Sequence, residues 1–137
     1  MRRLLIASGG LVVLLTAGPV LAHHSFSAEY DAQKPVTLSN ATITEVEWIN
    51  PHSWIHVDVK KADGSVEQWM IEVNTPNALA RRGISRDNLK PGTVLSIVGY
   101  QAKDGGNRAS GRDLTYPDGR RWFVGAEGGE AGATPKK

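Results

Sequence analysis

The apolar positions of this chain follow two different patterns, and the change between them divides it. Leu4 to Leu15 form an almost unbroken apolar run behind Arg2 and Arg3, and Gly18 and Pro19 interrupt it before Val20-Leu21-Ala22. From Pro35 onward, short β-branched and aromatic segments are separated by turn dipeptides, with one helical interruption. The second pattern predicts a mainly β domain.

Alternation places the strands. Residues 36–49 read as a long first strand whose period slips near Asn40 and again near Glu45, as in a bulged, strongly curved strand. Residues 53–61 form a second, with Ile55, Val57 and Val59 on one face and Trp54, His56, Asp58 and Lys60 on the other. Asp63-Gly64 supplies the positive φ angles of a tight hairpin into a third strand, where Trp69, Ile71 and Val73 share a face. A short helix follows, with Thr75 as cap, Pro76 at its first position and Gly83 closing it, and Ser85 to Leu89 adds another turn. Lys90-Pro91-Gly92, Asp104-Gly105-Gly106 and Pro117-Asp118-Gly119 then precede strands at 93–101, 108–116 and 121–124. Glycines 105, 106 and 111 read as turn residues, with no helix after them to make a phosphate cradle.

This order predicts a small five- to six-stranded Greek-key barrel, similar to the oligonucleotide/oligosaccharide-binding (OB) architecture, with one short helix between strands 3 and 4. A six-stranded sandwich is the alternative. The barrel domain spans residues 35–124, and residues 125–137 are too poor in apolar side chains to pack and read as a disordered tail.

The first apolar run has the parts of a secretory signal peptide over residues 1–22, cleaved after Ala22, and is short for a bilayer span. The expected location is the periplasm or outside the cell, with no membrane span in the mature form. Cleavage leaves 115 of the 137 residues, enough for one small domain behind an N-terminal segment at 23–34. It also removes two of the 16 Lys and Arg, so 14 basic residues balance 14 acidic ones. A neutral chain has no global field to recruit nucleic acid, and Arg81, Arg82, Arg86 and Lys90 read as solvated surface. The chain has no cysteine, so stability must come from burial. Met70 is the single methionine after the signal, which argues against a carrier of soft Cu(I).

Cleavage after Ala22 would give the chemistry its main clue. The four histidines form two clusters, His23-His24 at the new amino terminus and His52 with His56. An amino-terminal histidine offers its α-amine and ring Nδ1 to one ion, and another imidazole would complete a three-nitrogen set. Tetragonal nitrogen coordination favours Cu(II), followed by Ni(II), with Zn(II) a tetrahedral competitor. On a strand, His52 and His56 stand about 13 Å apart at Cα, too far to form a good pair. His52, at the strand entrance, is the better third ligand, and Phe26 and Tyr30 would pin the N-terminal segment against Trp48 or Trp54. Ordinary surface histidines at a terminus and on a half-exposed strand face are the plain alternative.

Trp54 shares the polar strand face with His56 and is a candidate platform for a small ligand, a glycan or an envelope protein; core packing is the competing reading. Catalytic constellations are thin. Ser25 and Ser53 adjoin histidines only in sequence, and neighbouring strand residues face opposite sides. Glu45, Glu47 and Asp58 read as solubilising charge. The composite expectation is a non-enzymatic exported barrel with His23, His24 and His52 as a Cu(II) site, or a binding module using Trp54 and His56. An oxidative copper enzyme is a third alternative.

Four segments carry a family resemblance: Ala22-His23-His24-Ser25-Phe26, Glu47-Trp48-Ile49-Asn50-Pro51-His52-Ser53-Trp54, Pro76-Asn77-Ala78-Leu79-Ala80-Arg81-Arg82-Gly83, and Leu89-Lys90-Pro91-Gly92 leading to Val98-Gly99-Tyr100. Through them the chain resembles a family of small exported bacterial proteins that is known as a domain of unknown function. The resemblance implies a periplasmic or secreted location and a small β-barrel, and brings no catalytic residues with it.

Overall fold

The computed structural model describes residues 26–125; the expected signal segment, His23, His24 and the tail beyond residue 125 lie outside them. The elements are α1 (Phe26–Glu29), β1 (Tyr30–Glu47), β2 (Ser53–Lys60), β3 (Val66–Val73), α2 (Pro76–Arg81), β4 (Val94–Ala102), β5 (Arg108–Thr115) and β6 (Arg121–Phe123). All six strands belong to one sheet in the order β3-β2-β1-β4-β5-β6, and neighbours in that order are antiparallel. A parallel pairing of β3 with β5 joins the sheet to itself, so five strands form a ring. The two stacked sheets of a sandwich are not formed.

β1 differs most from the reading by alternation. It starts at Tyr30 rather than residue 36 and ends at Glu47, short of Ile49. Its first part has no apolar period because residues 32–35 are exposed; pairing of Tyr30 with Ala102 and of Pro35 with Tyr100 makes it a strand. Both expected slips are bulges. One lies between Leu38 and Ala41, where Asn40 takes φ 53°, and the other between Ile43 and Glu45.

The β2–β3 hairpin runs without a register break from Ser53↔Val73 to Lys60↔Val66. Gly64 takes φ 87°, but Asp63 does not share the positive φ; its carboxylate instead accepts from the Ser65 N–H at 2.8 Å. α2 forms as its signals direct, with the Thr75 hydroxyl accepting from the Ala78 N–H at 3.1 Å and Gly83 at φ 80°. Ser85 to Leu89 makes a hydrogen-bonded turn and no helix, with the Asn88 N–H donating to the Ser85 carbonyl at 3.1 Å and Asn88 Oδ1 accepting from the Ser85 N–H at 2.8 Å.

Gly111 is not a turn residue. It lies inside β5, where a Cβ would stand 2.7 Å from Ile71 Cγ2 and 3.1 Å from Val73 Cγ1. Its missing side chain lets β5 approach β3 and the ring join up. The core inside the ring includes Ile43, Ile55, Val57, Trp69, Ile71, Leu95, Ile97 and Leu114, with Leu79, Ile84, Leu89 and Val124 brought in from α2 and the connecting segments. Arg82 is not simply solvated: its guanidinium lies 4.8 Å above the Phe123 ring and donates to the Gly125 carbonyl at 3.0 Å. The chain stays packed through Gly125, whose carbonyl also accepts from the buried Asn74 side chain at 3.0 Å.

Candidate functional site

A cleft of about 270 Å³ opens where the β1–β2 connection, the start of β1 and the β3–β5 junction meet. Its walls include Glu29, Pro51, His52, Trp54, Glu72 and Arg108. Strand periodicity explains why Glu72 faces it. Trp69, Ile71 and Val73 point into the core, so Glu72 points out, and it sits opposite Trp54 in the hairpin register. The β3–β5 pairing places Ser110 beside Glu72 and Arg108 beside Met70, bringing a guanidinium from a distant segment to the same edge.

Glu72 is the hub of the cleft. Its Oε2 accepts from the Tyr30 phenol, and its Oε1 meets Nδ1 of His52. The Tyr30 residue is only 4% exposed. Burial, and after it the hydrogen bond to Glu72, pushes the phenol far above its ordinary pKa, so it remains a donor at every physiological pH. Arg108 lies 5.8 Å from the Tyr30 ring centroid, with its nitrogen 3.8 Å from Glu29 Oε2 and 4.0 Å from Asp104 Oδ2. Two carboxylates, one guanidinium and the His52 imidazole line the cleft, and each carboxylate is paired, Glu29 with Arg108 and Glu72 with His52.

The candidate residues divide between two places. His52 and Trp54 share the cleft. His56 lies on the outer strand face, with Nε2 at 2.5 Å from Glu47 Oε1, so the two described histidines have separate carboxylate partners. Trp54 is half-buried, whereas Trp69 is core at 7% exposure. Phe26 finds its ring partners in Tyr30 and Tyr100, at 5.8 and 5.5 Å, instead of in Trp48 or Trp54; Trp48 is covered by Arg86, 5.3 Å from its ring. Ser53 is fully buried, with an Oγ that has no hydrogen-bond partner, and so makes no nucleophile–base pair with His52.

Among the described residues, no three His, Cys, Asp or Glu side chains are grouped to hold a metal ion. Of the three expected ligands, only His52 lies among the described residues. Sequence reading missed Glu72, Glu29 and Arg108. A signal for Glu72 did exist: every β2–β3 pair is equidistant from Asp63, so counting outward from the turn sets Glu72 against Trp54. No such signal exists for Arg108, which arrives through a pairing distant in sequence.

Fold and cleft together define a small, mainly β protein with a ring of strands and a carboxylate-anchored histidine at its edge. The chain belongs to a family of unknown function (DUF6152), whose model matches residues 11–111. No curated protein and no solved structure matches it. Among the described residues, no helix is long and apolar enough to cross a membrane.

Proposed function

We propose that this is an exported, non-enzymatic β-barrel protein of OB-like order that handles Cu(II) through His23, His24 and His52. The barrel reading draws on the cyclic order β1-β2-β3-β5-β4-β1 with α2 between β3 and β4, the order of a five-stranded Greek-key barrel. The export reading draws on the Arg2-Arg3, apolar and Val20-Leu21-Ala22 sequence.

One observation carries the metal reading. His52 is anchored through Nδ1 by Glu72, which leaves Nε2 for a ligand, and the same cleft is walled by Glu29, five residues after His24. His23, the start of a chain cut after Ala22, is six residues before Glu29, a span of at most about 21 Å, which lets it reach His52. The His23 amine and Nδ1 with the His52 Nε2 would give three nitrogens, a set that suits tetragonal Cu(II). The amine must lose its proton to bind, so affinity rises as pH rises towards about 8.

Calorimetry with Cu(II) tests this on protein that begins at His23. Stoichiometric binding is expected, and it should be weakened both in His52→Ala and in protein whose α-amine has been acetylated, which removes the amine donor. Equal affinity in the acetylated protein would sink the terminal chelate. A second reading, a binding module for a small organic ligand, is favoured by the half-buried indole of Trp54 in the cleft. Under that reading Trp54→Ala removes the protein's ligand while Cu(II) binding is absent from the start.

A further inference from the structure

Glu72 has two partners of different kinds, and together they give the group a direction. The Tyr30 phenol donates to Oε2 and Nδ1 of His52 meets Oε1, with the His52 and Glu72 side chains 20% and 12% exposed. An ionised carboxylate only accepts, so the ring nitrogen facing it carries a hydrogen. In a neutral ring that choice puts the hydrogen on Nδ1 and leaves the lone pair on Nε2. Tyr30 cannot reverse the arrangement, because burial keeps its phenol protonated and its hydrogen is committed to Glu72.

We infer that Glu72 is a positioning residue that fixes His52 in the Nδ1–H tautomer, with Tyr30 fixing Glu72 in turn, so that Nε2 is the nitrogen offered to a borderline divalent cation. The inference rests on the reading of His52 as a metal ligand. A carboxylate behind a ligating imidazole orients the ring and raises its basicity, and loss of such a partner costs about 10–100-fold in metal affinity. His56 provides the contrast within the same molecule. Its Nε2 meets Glu47 at 2.5 Å, which selects the opposite tautomer and leaves Nδ1 free.

Long-range proton–nitrogen correlation spectra of the ¹⁵N-labelled, metal-free mature protein read both tautomers directly, at a pH of about 9 where ordinary imidazoles are neutral. The expected spectrum has His52 protonated on Nδ1 and His56 on Nε2. Glu72→Leu should move His52 towards Nε2–H and weaken Cu(II) binding about 10–100-fold, and Glu72→Gln, whose single oxygen cannot accept from both Tyr30 and His52, should also disturb the His52 pattern. The His56 pattern is the folding control and should hold in both variants. Wild-type His52 protonated on Nε2 would overturn the inference without any variant, and so would an unchanged His52 in a folded Glu72→Leu protein. If the tautomers are as expected but copper does not bind, the copper function fails and the role of Glu72 over His52 stands.

Discussion

Tyr30 shows how one side chain ties the start of the described chain to the cleft. It begins β1, packs beside Phe26 and passes its phenol hydrogen to Glu72. Tyr30→Phe keeps the ring and deletes the hydrogen bond to a charged acceptor, which should cost roughly 1.5–3 kcal/mol in a denaturant-unfolding experiment. The pH dependence has a definite sign. The unfolded phenol ionises near its ordinary value of about 10 whereas the folded one stays protonated above it, so the unfolded chain releases its proton first. The stability from Tyr30 is therefore present below about pH 10 and falls as pH rises beyond that. Unfolding midpoints measured from about pH 8 to about pH 11 should decline less steeply in Tyr30→Phe than in wild type, and parallel curves would refute this role.

At this scale the sequence was informative about type and poor about partners. His52 stood out because histidines are few and because it follows Pro51 at a strand start. Glu72 did not, because an acidic residue on an outward strand position usually faces water. Its importance arises from being near two groups, Tyr30 and His52, that are 42 and 20 residues away in the chain.

Among the elements, local chemistry determined the hairpin and the helix, while long-range pairing determined β1 and β5. Gly64 at φ 87° and Thr75 beneath the Ala78 N–H are effects over a few residues, and both were legible. The strand at residues 30–35 was not, because it borrows its hydrogen bonds from β4. Gly111 is the sharpest case, since its role depends on β3 lying against it. In Gly111→Ala the new methyl would meet Ile71 and Val73 inside contact distance, and overpacking there should cost about 1–3 kcal/mol. Gly106→Ala is the comparison, because the nearest atom is the carboxylate end of Asp104 at 3.2 Å, which can move. Thermal unfolding should separate the two variants clearly, and equal losses would mean that the β3–β5 approach tolerates a side chain.

For the molecule as a whole, copper binding under the proposed reading is a tether between the chain start and the ring. A ligand that binds only the folded state stabilises it by mass action, so Cu(II) at about 100 times its dissociation constant should add about 2.7 kcal/mol. The unfolding temperature of protein starting at His23 should rise with Cu(II), and the same protein with its α-amine acetylated should show no such rise. Stabilisation of both to the same degree would place the ion elsewhere on the molecule.

The sequence by itself determined the β character, the turns, the bulges of β1, the helix cap and the core-facing side of each central strand, because each follows from backbone sterics and a two-residue period acting over short distances. Tertiary structure alone decided that β5 meets β3, that Gly111 must lack a side chain, and that Tyr30, Glu72, His52 and Arg108 share one edge. Those outcomes depend on which distant segments become neighbours when the ring forms, and a periodic pattern along one segment carries no record of its partner.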